Sequence, residues 1–442
     1  MSEIVAVALA GGRGLRARPL TLKTDSYLRS KALIPFLGRR ILEWSLYVLR
    51  EQGIKRLYVV AQGKENREQI RSLIDLAGDR FGIEVFFSRT RLDKHNTGSG
   101  AAAIHNFDHW NLGGRALVFP VDSVFDFDLE ALVEFHDRNE AVVTVATVTR
   151  DAADIAYKYG VPVVDETGRV QRFVEKPSPS VLADLLAEQE RNGVTTVGAG
   201  QLPTNAGLYL VDCAALRLAA HDPGLAQLAR QRLDWGGDLL PWLVSNGHVV
   251  MSAPIRAMGD LGSVRDYLIT MQEVLAGQYP WMSRTFGETV PSLTRCWIHE
   301  SSLRAKDEIT GLTLEEKLRH GLVHIGPNVR IGRGVEIGTG VHISDADIGD
   351  DVDLGSHCRI EGTAIRNASI VGEGALLRNS YLGSMVEIHS TLDRPTMIVD
   401  FSALGDEVTV FHGARLSSVA VPPRTRVPGG GPLFGGTPTD WT

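Results

Sequence analysis

The chain has 442 residues, more than one ordinary core absorbs, so two or three domains are expected. A net charge of −7 excludes a bulk nucleic-acid binder, because nothing would supply a broad phosphate-neutralising surface. Three scattered cysteines, Cys213, Cys296 and Cys358, exclude a disulfide framework or zinc cluster and suit a reducing cytoplasm, and neither a membrane-spanning apolar run nor a secretory leader is read.

The first element is the apolar run Ile4–Ala10, of strand length and suited to burial on both faces, as in a central parallel strand. It stops at Gly11 and Gly12, and Arg13, Gly14, Arg16 and Arg18 follow before Lys31. Glycines let the backbone turn sharply and bring its N–H groups to a ligand. Cations beside such amides describe a site for a polyanion, with a nucleoside triphosphate the first candidate. The plainer alternative is a glycine-rich turn with solvated arginines.

Residues 41–52 carry apolar side chains at helical spacing, and Gly53 closes them as a C-terminal cap. Strands follow at 57–61, 83–87, 116–121 and 142–148, with helices at 65–75 and from the Gly/Ala-rich turn 97–106. A strand pair is read around Glu166-Thr167-Gly168, a helix at 181–191, a strand at 205–211, a helix at 214–220, a strand at 249–253 and a helix at 266–276. Strands alternating with helices predict a Rossmann-like α/β fold with a mostly parallel sheet. Ligands of such sheets lie beyond the carboxyl ends of the strands, where the glycine stretch and Asp122 both fall.

These residues resemble the sugar-1-phosphate nucleotidyltransferases, the nucleotide-sugar pyrophosphorylases. The family opens Gly-Gly-x-Gly-Thr-Arg-Leu-x-Pro-Leu-Thr and continues to a lysine in Pro-Lys-Pro-Leu-x-Pro. Gly11, Gly12, Gly14, Arg16, Pro19, Leu20, Thr21, Lys31 and Pro35 match it. Further matches are Tyr159-Gly160-Val161, Glu175-Lys176-Pro177, Asn205-Ala206-Gly207-Leu208-Tyr209 and Gly259-Asp260-Leu261-Gly262-Ser263. The departures are Leu15 for a hydroxyl residue, Ala17 for a leucine, Ser30 for a proline and Val121 for a glycine.

The resemblance implies attack by a sugar-1-phosphate oxygen on the α-phosphorus of an NTP, with loss of pyrophosphate. Positioning and charge neutralisation then do most of the work. It implies Arg16, Lys31, Asp122 and Lys176 as catalytic residues. Leu9, Gly11, Gly12, Gly14, Thr97 and Gly98 would bind the nucleotide, with Asn96 at the edge of that base loop. Gly160, Glu175, Lys176 and Asn205 would bind the sugar phosphate, and Asp122 and Asp260 would hold Mg²⁺. Each has a plainer alternative: Lys31 and Lys176 as solvated loop charges, Asp122 as a turn cap, Asp260 as a loop stabiliser. Likewise Glu175 could simply pair with Lys176, Asn205 satisfy a strand end, and 96–101 be a turn before a helix.

From Ile325 a six-residue repeat appears: Ile325-Gly326, Ile331-Gly332 and Ile337-Gly338, with Val329, Val335 and Val341. It slips by one residue at Ile348-Gly349 and continues through Leu354, Ile360, Val371, Leu377, Leu382 and Ile388. Such a period signals a parallel β-helix. It looks like the left-handed hexapeptide β-helix that follows the catalytic domain in several nucleotidyltransferases. Residues 304–319 are read as a helix-bearing insertion, 393–408 as a disturbance of the repeat and 421–442 as an irregular or disordered Pro/Gly-rich tail. The expected division is 1–278 for nucleotide and sugar-phosphate binding, 279–300 linker, 301–420 β-helix and 421–442 tail. A cytoplasmic homo-oligomer, assembled through the β-helix or the catalytic domain, is expected. The alternatives are a non-catalytic relative that binds nucleotide sugar, and a second, acyltransferase activity based on His324, His342, His357 or His389.

Overall fold

The computed structural model describes residues 3–12, 14–24, 27–89, 97–191, 200–307 and 309–434. The chain forms two compact units. The first comprises Met1–Gly12, Ser45–Val121 and Phe125–Met258; the second comprises Arg13–Trp44, Asp122–Val124 and Gly259–Thr442.

The first unit is built on a seven-stranded sheet. Its strands are β1 (Ile4–Ala10), β2 (Arg56–Ala61), β3 (Glu84–Phe87), β4 (Arg115–Pro120), β5 (Val143–Asp151), β6 (Gln201–Asp212) and β7 (Val250–Pro254). The spatial order is β7-β5-β6-β4-β1-β2-β3. Every neighbouring pair is parallel except the two made by β6, so the mostly parallel sheet read from the sequence is present. β1 lies between β2 and β4, with Ala8 opposite both Val59 and Phe119. Burial on both faces explains why Val5, Ala6, Val7 and Ala8 show no polar alternation. Helices Ser99–His109 and Cys213–Ala219 bring Phe107 and Leu216 into the core of Val7, Val60, Val118, Val145 and Val211.

Several elements of this unit were not evident from sequence. Helix Leu129–Arg138 starts at Asp128, whose Oδ1 accepts the Ala131 N–H at 3.1 Å. Helix Pro223–Ala229 starts likewise at Asp222. A π-helical turn, Trp235–Leu239, runs into helix Leu240–Ser245.

In the second unit, residues from Cys296 onward wind into three parallel sheets of stacked short strands, as the repeat predicts for a β-helix. Each wall carries one aliphatic ladder. Ile331, Ile348, Ile365, Leu382, Leu404 and Val421 form one; Ile343, Ile360, Leu377, Ile398 and Leu416 another; Ile337, Leu354, Val371, Ile388, Val410 and Val427 the third. All are buried. Side chains on neighbouring coils bond across 17 positions, as Arg330 does with Asp347, so the one-residue slip is part of each regular coil. The disturbance after Ile388 is a single longer coil step, crossed by Thr391 and Arg394. Past 420 the ladder continues through Arg426–Val427 and Pro432–Phe434, which pair with the preceding coil. The Pro/Gly composition of 421–434 therefore belongs to coil corners and not to an irregular strap.

The insertion in the first coil contains helix Leu314–Arg319, opened by a capping box between Thr313 and Glu316. Its buried Lys317 pairs with Asp307 and donates to the Ile337 carbonyl at 2.5 Å. Residues of the expected linker pack as aromatics: Trp281 and Phe286 stand edge-on to Trp44, and Phe286 meets Trp297 with centroids 5.3 Å apart.

One β-helix wall is covered by other segments of the same unit. On helix Val264–Leu275, Tyr267 donates to the Pro35 carbonyl at 2.7 Å and sets its ring edge-on to Tyr381. Gln272 donates to Asn379 Oδ1 at 3.3 Å. Beneath them Asp347, fully buried, accepts from Arg330 Nη1 and Arg366 Nη2, each at 2.6 Å.

Candidate active site

In the first unit β1 ends at Ala10, and Gly11 and Gly12 stand exposed beyond it. A Cβ at either glycine would meet nothing within 4 Å among the described residues. Gly12 has φ +91°, a conformation that a side chain strains. Half-buried Leu9 accepts the Val121 N–H on its carbonyl at 3.2 Å, tying the end of β1 to the end of β4. Arg13 and Asn96 lie outside the described residues.

The second unit gathers the other members of the glycine motif. Gly14 has φ +64°, and a Cβ there would meet Thr21 Cγ2 at 2.7 Å and Lys31 Cε at 3.3 Å. Thr21 Oγ1 donates to the Gly14 carbonyl at 2.8 Å. Lys31 opens the short turn Lys31–Leu33, and its Nζ meets Asp122 Oδ2 at 2.5 Å. Asp122 in turn accepts the Leu261 N–H on its carbonyl at 3.0 Å, which places Asp260 on the adjoining backbone. Asp260 Oδ1 accepts the Gly262 N–H at 2.8 Å. A Cβ on Gly262 would lie 2.8 Å from that oxygen and 3.7 Å from Arg16 Nη2. Gly14, Arg16, Lys31, Asp122 and Asp260 therefore share one patch, although Asp122 and Asp260 are far apart in sequence. Of the departures, Leu15 is 49% exposed, whereas Ala17 and Val121 are buried.

The first unit carries a separate cluster around Glu175. Burial pushes the Glu175 carboxyl up and Lys176 pulls it down; burial prevails. Lys176 Nζ is 3.5 Å from Glu175 Oε1, and Lys176 holds the left-handed φ of +47°. Gly160 leaves the space that the carboxyl occupies, since a Cβ there would stand 2.6 Å from Glu175 Oε2 and 2.7 Å from the Phe173 ring. Gly160→Ala is expected to destabilise the protein by about 1–3 kcal/mol through this overpacking, read by urea unfolding. An unchanged midpoint would contradict that geometry.

Asn205 sits at a break in the β6–β5 register. Its N–H donates to the Gly160 carbonyl, its Oδ1 accepts from Gly207 N, and its Nδ2 donates to the Tyr209 hydroxyl at 2.9 Å. Such bulges redirect side chains near functional sites. Tyr209 stacks on Trp235 with centroids 4.6 Å apart. A Cβ on Gly236 would stand 2.9 Å from Glu175 Cδ, so Asp234-Trp235-Gly236 joins this cluster. The same segment grips the predicted base loop. Leu233 N–H donates to the Thr97 carbonyl at 2.8 Å, Gly100 N–H donates to the Leu233 carbonyl at 2.8 Å, and Ser99 N–H donates to Asp234 Oδ1 at 3.0 Å. Gly98, φ +92°, caps helix Ser99–His109 and has no room for a Cβ against the Leu233 backbone. The sequence reading missed this segment; its one local signal is the glycine pair between Asp234 and Asp238.

On the β-helix, His324 and His342 stack as sheet neighbours with centroids 4.6 Å apart, and His389 stacks on Phe411.

In the second unit, two carboxylates, a lysine and an arginine gathered at the Gly14 turn are a donor set suited to binding phosphates. Comparison with known proteins gives the class. Residues 5–277 match the family described as Nucleotidyl transferase, and the chain belongs to it. Residues 320–429 match a second model, described as the GMPPB C-terminal domain.

Among similar proteins is a UTP–glucose-1-phosphate uridylyltransferase of Synechocystis sp., 26% identical over 61% of this chain and 63% of that protein. Glucose-1-phosphate adenylyltransferase 2 of Vibrio cholerae is 23% identical over 96% of this chain and 98% of that protein. The Vibrio parahaemolyticus adenylyltransferase 2 is 28% identical over 56% of this chain and 59% of that protein. The chain thus spans less than two thirds of the first and third of these relatives and nearly all of the second. No helix among the described residues is long and apolar enough to cross a membrane.

Proposed function

We propose that this protein transfers a nucleotidyl group from an NTP to a sugar-1-phosphate. A phosphate oxygen of the sugar-1-phosphate forms a bond to the α-phosphorus. The bond from that phosphorus to the β-bridging oxygen breaks, and pyrophosphate leaves with the electron pair. The observation that carries this reading is the patch of Gly14, Arg16, Lys31, Asp122 and Asp260.

Leu9, Gly11, Gly12 and Gly14 are assigned to the nucleotide, with backbone amides facing the phosphates. Thr97 and Gly98 are assigned to the base. Arg16 neutralises the departing pyrophosphate, and Lys31 stabilises charge at the α-phosphate. Lys176 takes the sugar phosphate, and Gly160, Glu175 and Asn205 the sugar, with Trp235 beside them.

Two carboxylates suit Mg²⁺, which completes its shell with water and phosphate oxygens. Asp122 and Asp260, joined through the Leu261 N–H, are the residues that would hold it. When bound, the ion supplies Lewis-acid stabilisation of phosphoryl oxygens. The same reading places the protein in the cytoplasm, where NTP is made, and as a homo-oligomer.

The test is pyrophosphate release over a panel of NTPs and sugar-1-phosphates. UTP and ATP with glucose-1-phosphate come first, because the relatives are named for those reactions. Release with one pair, and a raised KM for the sugar phosphate in Lys176→Ala, are the expected results. A folded protein that releases nothing with any pair sinks the proposal.

A further inference from the structure

Lys31 stands two residues after Arg29, and Arg29 is anchored on the β-helix. Arg29 Nη2 pairs with Asp406 Oδ2, and the two side chains are only 10% and 14% exposed. Asp406 is itself fixed at a coil corner, where its Oδ1 accepts the Ser384 N–H at 3.1 Å. The second arm of the guanidinium, Nη1, donates to the Leu20 carbonyl at 3.1 Å. The Arg29 N–H donates to the Thr21 carbonyl at 2.8 Å, and the Thr21 hydroxyl holds the Gly14 carbonyl. A Cβ on Gly14 would stand 3.3 Å from Lys31 Cε, so both ends of this chain of bonds meet at the phosphate patch.

We propose that Asp406 is a positioning residue for nucleotidyl transfer, acting through Arg29 on Lys31 and on the Gly14 turn. This rests on the transferase reading above. A guanidinium that bridges a carboxylate and a backbone carbonyl fixes geometry as well as charge, because its donors lie in a rigid fork. The β-helix then does more than stack coils: one of its corners sets the alignment of the lysine that faces the reacting phosphate. Misplacement by about 1 Å is enough to lower a rate by about 100-fold.

The experiment compares wild type, Asp406→Asn, Asp406→Glu and Leu404→Ala. The last loosens the same β-helix region, since Leu404 is fully buried, but leaves the ion pair intact. Pyrophosphate release and thermal midpoint are measured for each, with amide hydrogen exchange at Leu22, Arg29 and Leu33 in the ligand-free proteins. The expected result is a kcat in Asp406→Asn lower by up to about 100-fold, recovery in Asp406→Glu, and faster exchange at those amides in Asp406→Asn. Leu404→Ala is expected to lower the midpoint while keeping kcat. Wild-type kcat in Asp406→Asn overturns the proposal, and so does an equal kcat loss in Leu404→Ala at the same midpoint. If wild type itself releases nothing, the transferase reading fails; exchange then decides, and rates in Asp406→Asn equal to wild type overturn the positioning role.

Discussion

Lys31→Ala is expected to lower kcat for pyrophosphate release by about 10²- to 10³-fold, the scale seen when one preorganised donor to a developing anion is removed. The side chain is not a loosely solvated charge. Its stem packs where Gly14 leaves room, its head meets Asp122, and the side chain as a whole is 17% exposed. It pairs with that carboxylate, and on the proposed function the triphosphate would offer it a second anion. Lys31→Arg is expected to recover little, since a planar fork does not fit the slot of a linear ammonium stem. Steady-state kinetics with saturating substrates reads the effect. Turnover within a few-fold of wild type would remove Lys31 from the mechanism.

Asp347→Ala is expected to destabilise the protein by about 3–5 kcal/mol, because it leaves buried Arg366 and half-buried Arg330 without their shared carboxylate. Burial alone would raise the Asp347 carboxyl, but Arg366 and then Arg330 outweigh it and hold it below the ordinary carboxylate range. A depressed folded-state value means that the stabilisation is fully present above the unfolded value of about 3.9. It is lost as pH falls through the folded-state value. The gap between wild type and variant in urea unfolding is therefore expected to be constant from neutral pH down to about pH 4 and to shrink below it. A gap that widens on acidification would contradict the assignment.

Much of this was legible in the sequence, for reasons that differ along the chain. Strand β1 and the turn after it read directly, because a doubly buried strand has no polar residues and the positive φ of Gly12 favours a residue without Cβ. The β-helix read as clearly, since each coil must place an aliphatic on each of its three walls. The sequence also marked Asp122 and Asp260, but not that the Leu261 N–H would join them. Trp235 escaped because its stacking on Tyr209 and the contact of Gly236 with Glu175 are set by tertiary packing, with no local period to announce them. Asp406 escaped for the same reason: its partner Arg29 is 377 positions away.

The division of the chain into Met1–Gly12, Ser45–Val121 and Phe125–Met258 against Arg13–Trp44, Asp122–Val124 and Gly259–Thr442 has a consequence for biosynthesis. The ribosome releases residues 13–44 early, yet the segments that complete their unit emerge last. Until Asp406 is translated, Arg29 waits without its carboxylate, and Leu33-Ile34-Pro35-Phe36 waits without Tyr267 and the coils beneath it. A nascent chain of this design holds an apolar stretch open through most of its own translation, so chaperone demand should peak before the last coils are made. A fragment ending near residue 278 would keep Tyr267 but lose Tyr381 and Asp406 with the coils that carry them, and should aggregate where the full chain does not.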